Sequence, residues 1–113
     1  MDLRETVRKI LEKNEWLNGW YDYLDGDIMA IVDKPEKFQF VKNVKSLKEL
    51  YRLLRNLDGV FKYRNLLFFN DWQYGTFVYD IRNPEDYVDH LTIDAMDYRG
   101  FRKTISQYIA KRE

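Results

Sequence analysis

Four cations recur along one stretch of this 113-residue chain at helical steps. Lys45, Lys48, Arg52 and Arg55 are separated by three, four and three residues, which puts them on one side of a helix. Lys62 and Arg64 follow on one face of the next extended stretch. Cationic side chains held on a rigid ridge can neutralise phosphates and release their counterions, so the ridge is a candidate nucleic-acid surface. The same spacing also describes the solvated side of an amphipathic helix, because Leu47, Leu50, Tyr51, Leu54 and Leu57 fall opposite it.

A second cluster is acidic. Were residues 84–97 one continuous helix, Asp86, His90, Asp94 and Asp97 would share a face at steps of four, four and three. Carboxylates and an imidazole one turn apart could then hold a divalent cation at Asp86, His90 and Asp94. Thr92 and Ile93 are β-branched and Asp94 reads as the cap of a new helix, which would divide that face. The plain alternative is a surface histidine among acids.

Aromatic residues form the third group, with three tryptophans, nine tyrosines and seven phenylalanines. Phe38, Phe40, Phe77 and Tyr79 stand at strand spacing and read as core. Trp72 and Tyr74 fall in a polar loop, and together with Trp20 they are the residues best suited to a partner surface. Enzymatic templates are missing: there is no G-x-S-x-G elbow, Walker A loop, G-x-G-x-x-G or H-E-x-x-H, and only one histidine. No cofactor is expected. A small nuclease built from Arg, Lys, Tyr and acidic groups would leave no motif and stays open as a reading.

The chain that carries these groups has 45% hydrophobic and 34% charged residues, the balance of one globular domain over residues 1–113. Without cysteine, disulfides and the common zinc modules are excluded. No apolar run reaches membrane-spanning length and the first residues show no secretion signal, so a soluble, cytoplasmic protein with no membrane partner is expected, and the sequence identifies no small-molecule ligand. High Lys, Arg and Glu with no Cys give a thermophile-like composition. Nineteen basic groups balance nineteen acidic ones, but they are sorted along the chain. Residues 34–67 carry nine basic and three acidic groups and residues 99–113 carry five and one, while residues 1–33 and 68–98 are net acidic. Such sorting suits self-association or a charged partner.

The elements that must position these groups follow from periodicity. Asp2 and Glu5 can box the start of a first helix with Leu3, Val7, Ile10 and Leu11 inward. Trp20–Leu24 and Asp27–Val32 flank Asp25-Gly26 as a hairpin, and a third strand is expected near Lys37–Lys42. Ser46 caps a second helix that ends before Gly59. Val60–Asn70 reads either as one strand or as a hairpin turning at Arg64-Asn65, and Thr76–Ile81 as a further strand. Asn83-Pro84-Glu85-Asp86 reads as a helix start, and Asp94 as the cap of a last helix with Tyr98, Phe101, Ile105, Tyr108 and Ile109 inward. Residues 84–112 are then one helix or two.

The αβββα order of the first sixty residues resembles that of double-stranded-RNA-binding domains, with Lys42, Lys45 and Lys48 near the start of the second helix. The family's Gly-Pro-x-His loop and KKxAK cluster are absent. The run from Tyr74 to Tyr79 faintly resembles the RNP1 strand of RNA-recognition motifs, without its leading basic residue and its Gly.

The expected fold is therefore α+β: an antiparallel sheet of about five strands, helices mainly on one face, in the order α-β-β-β-α-β-β-α-α. The uncovered face, with Trp20, Leu24, Met29 and Ile31, calls for a homodimer or for terminal helices wrapping across it. The expected function is a non-enzymatic binding module acting as a homodimer. The alternatives are a nucleic-acid-binding domain and a small nuclease.

Overall fold

The computed structural model describes residues 3–13, 41–71 and 75–112. They form an α+β arrangement: α1 (Leu3–Lys13), β1 (Val41–Asn43), α2 (Leu47–Asn56), β2 (Gly59–Tyr63), β3 (Leu66–Asp71), β4 (Gly75–Asp80), β5 (Asp89–Leu91), a 3-10 turn (Ile93–Ala95) and α3 (Tyr98–Arg112). The expected hairpin at residues 20–32 and most of the third strand lie outside the described residues.

The five strands run in chain order across one sheet, and the sheet is mixed rather than antiparallel. β1 pairs with β2 in parallel, Val41 beside Val60 and Asn43 beside Lys62. The reason is the connection. Residues 44–58 include a whole helix, and such a crossover returns the chain in the same direction, whereas a two-residue turn reverses it. The remaining pairs are antiparallel. β2 and β3 form the hairpin alternative, with Tyr63 opposite Leu66 and Arg64 at φ 53° in the turn.

Strand alternation sorts the core into two halves. Phe61, Tyr63, Leu66, Phe68, Val78 and Leu91 meet Leu50 and Leu54 of α2 and Phe101 and Ile105 of α3. Val60, Leu67, Phe69 and Tyr79 point to the other face, where Val7, Ile10 and Leu11 of α1 cover them. Among the described residues two helices thus lie on one face, as expected, with the N-terminal helix α1 across the other, and β3 is buried along its whole length. Each fully buried Phe or Leu stabilises the fold by about 1.5–3 kcal/mol relative to exposure. Lys13 ties the end of α1 to the 82–88 turn, donating to the Glu85 carboxylate at 2.9 Å. That bond holds the Lys13 amine above and the Glu85 carboxyl below their ordinary ranges. Both side chains are exposed, so water and salt screen the pair.

The segment expected to begin a helix at Asn83-Pro84 does something else. Arg82 donates its backbone N–H to the Asp80 side chain at 2.9 Å, and Asn83 donates its own to the Asp80 carbonyl at 3.0 Å, folding a turn. The chain then runs back as β5 and supplies β4 with its outer hydrogen-bond partners. Satisfying a buried strand's backbone outweighs a local helix-start signal. Asp94 falls in the 3-10 turn. The cap of α3 is Asp97, whose carboxylate accepts the Gly100 N–H at 2.7 Å.

Gly75, at φ +92°, starts β4 where the chain passes under β5. A Cβ there would lie 2.8 Å from His90 Nε2 and 3.0 Å from the Leu91 carbonyl oxygen. Gly75→Ala is accordingly expected to destabilise the fold by about 1–3 kcal/mol, through backbone strain and a clash with main chain that cannot swing away. A urea midpoint equal to that of the parent protein would contradict the close approach of β4 and β5.

Candidate nucleic-acid interface

α2 exists because Ser46 accepts the Glu49 amide at 3.2 Å and because its leucines repeat at helical spacing. Leu50 and Leu54 are buried against the sheet, which leaves Lys48, Glu49, Arg52 and Arg55 exposed on the opposite side. Leu57, expected in the buried stripe, is 44% exposed, because it follows the last helical residue and its extended backbone turns it outward.

α3 packs beside α2 through rings. Tyr51 lies 5.3 Å from buried Phe101 and 5.6 Å from Tyr98, centroid to centroid. The Tyr51 hydroxyl donates to the Met96 carbonyl and accepts from Arg55 Nη1 at 2.7 Å, which fixes the ring. Arg55 also stands over the Tyr51 ring at 5.3 Å, and Arg102 over Tyr98 at 5.9 Å. Between the helices opens a groove of about 520 Å³ lined by Ser46, Lys48, Glu49, Tyr51, Arg52 and Tyr98. Its size is that of a small-molecule or single-nucleotide pocket.

Lys48 and Arg52 have no ion-pair partner among the described residues. Arg99, Arg102 and Lys103 of α3 are exposed too. Of these, Arg102 borders the groove through its place over the Tyr98 ring. Of the other cations singled out by spacing, Lys45 is exposed in the link before α2. Lys62 shares the face of Val60, the α1 side of the sheet, and so is separated from the ridge. Arg64 sits in the β2–β3 turn with its guanidinium 5.7 Å from the Tyr63 ring centroid. Sequence spacing missed Tyr51 and Tyr98 as groove walls, because both stand at core positions of their helices. The excess of positive charge in residues 99–113 was the available signal for α3.

The acidic candidates are dispersed. Asp86 lies in the turn before β5 and Asp94 in the 3-10 turn, while His90, on β5, stacks on Phe77 at 4.0 Å and 9°. Among the described residues no three metal-ligating side chains come together. The helix that would have aligned them is replaced by strand and turn. A smaller cleft of about 140 Å³ at the C-terminal end of α2 is lined by Asp58, Asp71 and Asp94 together with Asn70 and Thr76. Trp20, Trp72 and Tyr74 lie outside the described residues.

No protein-family model, curated protein or solved structure matches this chain. No helix among the described residues is long and apolar enough to cross a membrane.

Proposed function

We propose that the protein is a non-enzymatic module that binds nucleic acid in the groove between α2 and α3. The observation that carries this reading is the pairing of two cations, Lys48 and Arg52, with the partly buried rings of Tyr51 and Tyr98 in one concave surface. Cations track phosphates by counterion release, and aromatic faces receive bases by stacking.

The two contributions separate experimentally. With a fluorescent oligonucleotide titrated at several salt concentrations, Lys48→Ala with Arg52→Ala is expected to weaken binding most at low salt. It should flatten the plot of log affinity against log salt by about 0.7 for each phosphate of a single strand that is no longer neutralised. Tyr98→Ala is expected to lower affinity by about 1–3 kcal/mol at every salt concentration and to leave the slope intact. Absence of binding by the parent protein at low salt would end the reading, and an unchanged slope in the double variant would clear the ridge of the role.

A second reading, a self-associating interaction module, draws on the sorting of charge along the chain. The groove flanked by Lys48 and Arg52 opens from the N-terminal half of α2, and a cleft lined by Asp58, Asp71 and Asp94, with Arg55 among them, lies at its other end. Complementary patches of this kind favour head-to-tail association between copies. Light scattering at low and high salt tests it: a monomer at both removes it.

A further inference from the structure

Glu49 is the unexpected member of the groove. It is a carboxylate between two cations, Lys48 before it and Arg52 three residues after, in a surface otherwise suited to phosphate. It is exposed, and it makes no ion pair or side-chain hydrogen bond among the described residues. Its backbone N–H is held by Ser46, but its side chain does not close the capping box back onto Ser46. Both carboxylate oxygens are therefore available to accept hydrogen bonds at the edge of a groove that Tyr51 and Tyr98 line on one side.

Resting on the nucleic-acid reading, we infer that the groove takes one unpaired base of a single strand and that Glu49 selects guanine. A carboxylate is acceptor-only and binds best to two adjacent donors, one for each oxygen. Guanine presents N1–H and the N2 amino group side by side on its pairing edge. Adenine and cytosine each present one amino group beside an acceptor nitrogen, and uracil presents one N–H between two carbonyls. Those acceptors face the carboxylate and repel it. The pairing edge is open only when the base is unpaired, so the same geometry favours a single strand over a duplex. Lys48 and Arg52 then hold the flanking phosphates, and the rings hold the base face.

The test uses the full chain and three labelled RNA nonamers: oligouridine, and oligouridine with a central guanine or a central adenine. The guanine nonamer is expected to bind about tenfold more tightly than the other two, the range of a good bidentate contact. It is also expected to bind more tightly than the same nonamer annealed to its complement. In Glu49→Gln the guanine preference should fall to less than about threefold while oligouridine affinity rises, because a negative charge has left the path of the phosphates. Three equal affinities in the parent protein, a preference for the duplex, or a guanine preference that survives in Glu49→Gln would each overturn the inference and leave the nucleic-acid reading standing. Failure of every nonamer to bind at low salt would remove both.

Discussion

Phe101→Ala is expected to lower the free energy of unfolding by about 3–5 kcal/mol, the range for removing a buried phenylalanine when its surroundings close only partly. Phe101 is fully buried and belongs to the core half that joins α2, α3 and the sheet. Its ring lies against Tyr51, whose hydroxyl is tied to Met96 just ahead of α3. Few neighbours can fill the space, because Phe61, Phe68 and Leu50 are already held by strand and helix backbones. The loss would consume much of the roughly 5–15 kcal/mol that stabilises an ordinary domain. Urea unfolding followed by circular dichroism reads the shift in midpoint, and an unchanged m-value shows that the unfolding unit is the same. Phe101→Leu should recover more than half of the deficit. A loss below about 1 kcal/mol for Phe101→Ala, the level of an ordinary surface change, would mean that α3 is not seated on the sheet as described.

The same residues show how far the sequence could be read. Phe101, Ile105, Tyr108 and Ile109 repeat at helical spacing, and α3 buries that stripe. The leucines of α2 and the apolar positions of α1 were legible for the same reason: one helix face must be dry, and its period is local. The parallel pairing of β1 with β2 was not legible from short-range pattern. It depends on the helix between them acting as a crossover, and no residue in either strand encodes direction. Residues 83–97 misled because Asn-Pro-Glu-Asp is a strong local start signal, while the demand that overrode it, the open edge of β4, lies several residues upstream. Within the candidate site the cations were legible and their companions were not. Tyr51 and Tyr98 occupy core positions by period, yet each leaves part of its ring in the groove. Lys62 looked continuous with the ridge until strand alternation put it on the far side of the sheet. A period of two turns successive residues to opposite faces, and only the assembled layers reveal which face each helix covers.

The end of α2 supplies the other large expected effect, and it too was hidden. Gly59 is the apparent stop signal in the sequence, but the helix ends at Leu57 in extended backbone, and its last carbonyls are taken up by a side chain from β3. Asn70 donates from Nδ2 to the Leu54 carbonyl at 2.8 Å and to the Leu57 carbonyl at 2.7 Å. Its Oδ1 accepts from the fully buried Thr76 hydroxyl, so every polar atom of the amide is engaged. Asn70→Leu keeps the volume but strands two carbonyls and one hydroxyl near the protein interior. Each unmet group costs about 1–3 kcal/mol, and partial wetting from the adjacent cleft relieves some of that, so a net loss of about 2–4 kcal/mol is expected. Asn70→Asp is the sharper variant. It places an ionised acceptor against two carbonyl oxygens, so at neutral pH it should be less stable than Asn70→Leu. The same repulsion and burial raise the carboxyl's pKa in the folded state above its unfolded value of about 3.9. The folded protein then binds the proton more tightly than the unfolded chain does. Relative to the parent, Asn70→Asp should therefore be least impaired below that unfolded value and lose ground steadily as the pH rises through the folded one. Paired urea titrations of parent and variant between acid and neutral pH read this directly. A deficit in Asn70→Asp that stays constant with pH would show that the amide does not bridge the helix end to the sheet.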